Sequence, residues 1–262
     1  MPPADQLTVG FSYYQNPANL QLQLAALRAY PARLWRRLHF VIVDDGSPAA
    51  LTLPAALALN LTAYRIRPDI PFNYGGAKNL VFDRAATPWV LITDIDHVVD
   101  AGAAARLLDL DLSDERVVYT FARRFPAGPM SETRVEVRAK PAIPATLLIN
   151  RRVFWEAGGY DEDFSGHYGK DDSLLKWHLV RNHGCRLVQL DLALLCYACV
   201  YRDAPSPPRD VRRNARLFAE KTRAPAYHPG PPLRFDWVET YRARAPAPSA
   251  APARPMAVHE TQ

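Results

Sequence analysis

Twice within its first hundred residues the chain runs through a short apolar segment and stops abruptly on carboxylates. His39–Val43 ends at Asp44-Asp45-Gly46-Ser47-Pro48, and Val90-Leu91-Ile92-Thr93 ends at Asp94-Ile95-Asp96-His97. An apolar, β-branched run cut off by a polar turn reads as a strand end. Open α/β sheets bind their ligands outside the carboxyl ends of the strands, so both acidic clusters fall where such a sheet would place a site.

The segments around these two runs agree with that architecture. Leu7–Tyr14 reads as a first strand, and Asn19–Leu38 carries leucines at helical spacing, interrupted near Pro31. An alanine-rich helix over Ala49–Leu59, a strand over Leu61–Ile66, a helix over Gly75–Ala86 and a strand over Trp89–Thr93 follow. This alternation predicts a Rossmann-like, mostly parallel sheet with helices on both faces. After a helix near Ala101–Leu110 the pattern changes, with strands expected at Arg116–Phe125, Arg134–Arg138 and Ala145–Asn150. Arg151–Ala157 should form a short helix stopped by Gly158-Gly159, and Ser173–Asn182 a longer one ended by Gly184, before a strand over Arg186–Asp191. Beyond Tyr201 no strand is expected. Arg209–Arg223 reads as a basic amphipathic helix and Tyr241–Gln262, rich in Ala, Pro and Arg, as a disordered tail.

The charge is unevenly placed. From Arg202 onward there are 11 Lys or Arg against 6 Asp or Glu, which accounts for the whole formal +5. Such a segment suits a solvated helix first, with an anionic membrane surface or a nucleic acid as alternative polyanionic partners. With 262 residues, 48% of them hydrophobic, the chain can bury a sizeable core. Its longest apolar stretch, Leu192–Tyr201, is about half the roughly 20 residues that span a bilayer. A cytoplasmic protein, at most peripheral to a membrane, is the expectation. Three cysteines, Cys185, Cys196 and Cys199, cannot all pair. Cys196 and Cys199 form a Cys-x-x-Cys in an apolar run with no further ligand at zinc-knuckle spacing, which favours buried packing.

Four clusters carry chemistry. A carboxylate at Asp44 or Asp45 can accept from a nucleotide base or a ribose hydroxyl, although Asp-Gly-Ser is also a common turn. In extended geometry Asp94 and Asp96 project to one face, as two oxygen ligands for a hard divalent cation, Mn2+ or Mg2+, whose shell a diphosphate would complete. The turn Asn73-Tyr74-Gly75-Gly76-Ala77-Lys78-Asn79 opens a helix and carries a cation in its first turn, which favours phosphate. It matches neither the dinucleotide nor the Walker pattern. The fourth cluster, Gly158 to Asp172, is dense in acid, glycine and aromatic residues just before a helix, and it supplies carboxylates for a general base on an acceptor side.

The four motifs in this order resemble family 2 inverting glycosyltransferases of the GT-A fold, especially those with a C-terminal galactosyltransferase-like segment. The likeness covers roughly residues 7 to 200. It implies a sugar transfer from a nucleotide-sugar donor, UDP-sugar favoured, to an acceptor hydroxyl of a glycan, a lipid-linked or another molecule. On this reading Asp172 is the base and Asp171 its neighbour on the acceptor side. Donor contacts fall to Tyr13, Asp44, Asp45, Gly46, Asn73, Gly75, Gly76, Lys78, Asn79 and Asp94, and the metal to Asp94 and Asp96. Residues 1–201 then form the GT-A domain, 1–100 its nucleotide-sugar half and 101–201 a mixed acceptor half, followed by a basic helical segment over 202–240 and the tail over 241–262.

Two departures from the family pattern stand out. Relatives commonly have Trp-Gly-x-Glu-Asp where this chain has Tyr168-Gly169-Lys170-Asp171-Asp172, so Asp171 replaces a longer glutamate. Many also carry a metal-binding histidine where this chain has Tyr197-Ala198-Cys199-Val200-Tyr201; either His97, His183 or a water substitutes, or the metal is held more weakly. A nucleotidyltransferase fits less well, because Phe11-Ser12-Tyr13-Tyr14-Gln15-Asn16-Pro17 has neither glycine nor cation after the first strand. A non-catalytic nucleotide-sugar binder is the other alternative.

Overall fold

The computed structural model describes residues 6–55, 57, 59–126, 135–136, 145–197 and 209–244. The parallel block comes first. Strands β1 (Leu7–Tyr13), β2 (Leu38–Asp44), β3 (Leu61–Ile66) and β4 (Trp89–Asp94) lie in the order β3-β2-β1-β4, all parallel. Between them run helices α1 (Pro17–Arg28), α2 (Ala32–Trp35) and α3 (Tyr74–Arg84). A two-residue strand β5 (His97–Val98), helix α4 (Ala101–Leu108), and strands β6 (Val117–Pro126), β7 (Val135–Glu136) and β8 (Leu147–Asn150) follow. Helices α5 (Arg151–Glu156) and α6 (Asp171–His183), strand β9 (Arg186–Cys196), helix α7 (Arg212–Arg223) and strand β10 (Trp237–Ala243) complete the order.

Beyond β4 the sheet becomes mixed. Strand β8 pairs antiparallel with both β4 and β6, β6 pairs parallel with β9, and β9 carries β5 antiparallel at the far edge. This is the mixed second half expected after the parallel block. Side chains alternate along each strand, and they sort into two cores. Leu38, Phe40 and Ile42 of β2 face one core with residues of α1, α2 and α4; Val41 and Val43 face the other with residues of α3, α5 and α6. Helix α3 lies so close to β1 that a Cβ on Gly10 would meet Val81 at 2.1 Å. Gly184, in the left-handed region, ends α6 as expected.

Two expectations fail. The described residues of 49–59 form no helix. Pro48 precedes the segment and Pro54 interrupts it, and the Asp44 carboxylate captures the backbone N–H groups of Ser47 (3.0 Å) and Leu51 (2.9 Å), so these donors serve a loop instead of helical turns. Leucines 51 and 53 pack on the core from that loop. The sheet also does not end before Tyr201. Strand β9 continues past Asp191 to Cys196, and β10 pairs antiparallel with β3, covering the edge of the parallel block. The tail boundary expected at Tyr241 therefore falls inside β10, whose Tyr241 hydroxyl donates to Pro54 O. Residues 245–262 lie outside the described residues, as does Cys199.

Candidate active site

Parallel register brings the strand ends level. Tyr13 is the partner of Asp44 and Ser12 the partner of Asp94, so β1, β2 and β4 deliver their carboxyl ends to one rim. There a cleft of about 460 Å³ opens, lined among others by Lys78, Asp94, Asp96, His97, Asp171 and Asp172. Strand β4 ends at Asp94; Asp96 sits in the turn that follows, not in extended chain, and still reaches the same cleft.

The carboxylates of Asp171 and Asp172 arrive through a strained turn. Gly169 and Lys170 both have positive φ, and Asp171 and Asp172 then form the first turn of α6, where the helix dipole favours their charged form. Asp172 Oδ1 accepts from Lys78 Nζ (3.0 Å) and from the Tyr160 hydroxyl (3.0 Å). Lys78 Nζ also lies 3.3 Å from Asp94 Oδ1. Its side chain is 2% exposed, against 35% for Asp94, so a buried ammonium ties the strand-end carboxylate of Asp94 to that of Asp172 on α6. Despite its burial, the carboxylates of Asp172 and Asp94 hold Lys78 charged. Burial, and then the like charge of Asp172, push Asp171 up to about 7.

The other predicted residues are placed as follows. Asp44 holds its own loop and lies 3.7 Å from Arg65, while Asp45, fully buried, accepts from Asn73 Nδ2 at 3.0 Å. Burial pushes Asp45 up to about 8. Gly46 adopts φ +73°, and a Cβ there would meet Pro68 O at 2.4 Å, so it serves the turn. Tyr13 lines a neighbouring cavity with Ala49, Ala50, Leu53 and Pro54, and Asn73 another with Glu162 and Arg234. Asn79 is wholly buried. Its Nδ2 donates to Tyr160 O (2.9 Å) and Glu162 Oε1 (2.8 Å), and its Oδ1 accepts from Tyr160 N (2.8 Å). Gly75 and Gly76 let α3 approach Tyr160 and Phe235 closely. The helix start of residues 73–79 is thus packed against the Gly158–Tyr160 turn, and of its side chains Tyr74 and Lys78 line the cleft.

The acids Asp161, Glu162 and Asp163 are structural too. Asp161 accepts from the Tyr227 hydroxyl (2.8 Å) and pairs with Lys221 (2.8 Å); Glu162 accepts from Leu233 N (2.6 Å) and Arg234 N (3.0 Å). Helix α7 is no loose solvated helix. Its buried Asn214 donates to the carbonyls of Phe164, His167 and Gly169, clamping the loop that precedes the Asp171-Asp172 turn. Of the two histidines available as metal ligands, His97 enters the cleft and His183 does not; His183 meets His178 in a separate cavity.

Sequence reasoning missed Arg123 and Tyr160. Arg123, on β6, lines the cleft and its Nε is buried with no hydrogen-bond partner. Two adjacent arginines in an otherwise apolar strand were a signal for it. Tyr160 gave none, because an aromatic before an acidic turn usually packs.

Residues 8–167 match the glycosyl transferase family 2. The chain belongs to that family. No curated protein sequence matches this glycosyltransferase well enough to count as a relative. Its fold is similar to Staphylococcus aureus TarS 1-349 in complex with UDP-GlcNAc (TM-score 0.56, 15% identity, 84% of this chain, 68% of that one). It is also similar to the mannosyltransferase PcManGT from Pyrobaculum calidifontis with GDP-Man and Mn2+ (0.52, 18%, 82% and 61%) and to GalNAc-T7 with UDP, GalNAc and Mn2+ (0.58, 13%, 82% and 48%). A second TarS 1-349 structure is spanned over 60% of its length. Among the described residues of the glycosyltransferase, no helix is long and apolar enough to cross a membrane.

Proposed function

We propose that this glycosyltransferase moves one sugar from a nucleoside-diphosphate sugar, a UDP-sugar by preference, to an acceptor hydroxyl with inversion, assisted by a divalent cation. The observation that carries this reading is the placement of Asp172. It faces Asp94 and Asp96 across one cleft and is held in place by Lys78 and Tyr160. Both contacts fall on Oδ1, so Oδ2 is the oxygen available to an acceptor.

The acceptor oxygen attacks the anomeric carbon from the face opposite the diphosphate, its proton passes to Asp172, and the carbon–oxygen bond to the departing nucleoside diphosphate breaks. A positioned base contributes about 10²- to 10⁴-fold. The side chains fit a cation: two carboxylates reach the cleft, and the buried His97 ring lies beside them, 2.8 Å from Asp96. Asp96 would hold it with Asp94 at hand, and when bound it supplies charge neutralisation for the leaving diphosphate. Carboxylates alone would suit Mn2+ or Mg2+. Lys78 and Arg123 bring fixed positive charge to the same cleft. One TarS structure and one PcManGT structure of this fold hold UDP-GlcNAc and GDP-Man, which supports a nucleotide-sugar donor.

The test is release of nucleoside diphosphate from a panel of UDP-, GDP- and dTDP-sugars with Mn2+, Mg2+, Co2+ or Zn2+. Metal-dependent release from one donor, abolished in Asp96→Ala, is expected. Tight donor binding with no release to any acceptor or water would favour a binder.

A further inference from the structure

Antiparallel pairing of β5 with β9 sets His97 directly opposite Cys196, which puts their side chains on one face of the sheet edge. Asp96 precedes His97. A carboxylate oxygen of Asp96, a ring nitrogen of His97 and Cys196 Sγ all lie within 4.8 Å of one another. His97 is 4% exposed, and its Nδ1 lies 2.8 Å from Asp96 Oδ1, with the Cys196 thiol also beside the ring. Three different metal-ligating atom types thus converge at one buried point beside the cleft. Asp94, meanwhile, is engaged by Lys78.

We propose that the divalent cation of this protein is held by Asp96, His97 and Cys196, a mixed oxygen, nitrogen and sulfur set. Such a set favours a borderline cation, Zn2+ or Co2+, over Mg2+, which takes oxygen ligands in a near-ideal octahedron. Cation binding displaces the thiol proton of Cys196, and any second proton on the imidazole, to solvent. Asp96 and His97 line the cleft, so the remaining coordination position faces the space shared with Lys78 and Asp172. What the cation does there rests on the transfer reading above; where it binds does not.

The experiment is a titration of the full chain, freed of metal by chelator and without any sugar donor, with Co2+, followed by absorption. A thiolate-to-Co2+ charge-transfer band in the near ultraviolet, displaced by Zn2+ and not by Mg2+, is expected. Cys196→Ser should lose the band and weaken Co2+ binding at least about tenfold, and His97→Gln should weaken it comparably. Cys185→Ser, which alters a buried thiol elsewhere, should keep the band and serves as the folded control. Co2+ bound without the band, or a band that survives in Cys196→Ser, overturns the proposal. Because no donor is present, the two readings fail separately. The band without turnover of any donor refutes sugar transfer and leaves the metal site standing; turnover without the band does the reverse.

Discussion

Lys78 on α3 donates to Asp172 on α6 across 3.0 Å, joining two motifs that lie 94 residues apart in the chain. The same ammonium lies 3.3 Å from Asp94. One cation therefore compensates the carboxylates on both sides of the cleft, and removing it would leave them facing each other unpaired.

Lys78→Met should thus damage both stability and transfer. Breaking a buried ion pair from one side costs about 3 to 5 kcal/mol. The lower end is expected, because Asp94 and Asp172 retain partial contact with solvent. Denaturant titration checks it. A change within about 0.5 kcal/mol, the range of ordinary surface substitutions, would refute the buried role.

Asn79 separates a structural from a donor-contact role. Its amide makes three buried hydrogen bonds to Tyr160 and Glu162. Asn79→Ala should lose about 2 to 3 kcal/mol of stability, since unsatisfied buried partners each carry a penalty. A donor contact, as the motif implied, would instead raise KM for the donor while leaving the melting temperature alone.

Asp45 makes stability depend on pH. Burial raises its folded pKa to about 8, above the unfolded value of about 3.9. Between these values the unfolded chain releases the proton that the folded one keeps. The contribution is complete below the lower value and is lost as pH rises, by at most about 1.4 kcal/mol per pH unit. Urea titrations of wild type and Asp45→Asn at roughly pH 5 and roughly pH 8 should show wild type losing stability relative to the variant as pH rises. A constant difference would mean that Asp45 is ionised in the fold.

Strand β10 shields the β3 edge, so a chain ended after Asp236 should expose unpaired backbone beside Leu61 and Ala63. Concentration-dependent association by light scattering is expected. A monodisperse truncated protein would show that this edge needs no cover.

What the sequence revealed and what it hid follow from the range of the interactions. The strand ends at Asp44 and Asp94 were legible because period, β-branching and turn residues are local signals. The segment over 49–59 was misread because its alanines suit a helix, while the Asp44 carboxylate holds its first turn and Pro54 interrupts it. Strand β10 was hidden because Trp237–Ala243 alternates weakly and finds its partner in β3, far back in the chain. At the site, Asp172 and Asp94 carried motif signals. Their link through Lys78, and the meeting of His97 with Cys196, depend on pairings that only the folded sheet makes.

The most direct test of the account is the Asp172→Asn variant, measured for donor affinity and for sugar transfer with the donor found in the panel. Donor binding should stay near wild type while transfer falls about 10²- to 10⁴-fold. Transfer at near wild-type rate would contradict the assignment of Asp172 as the base, and with it the central claim about this cleft.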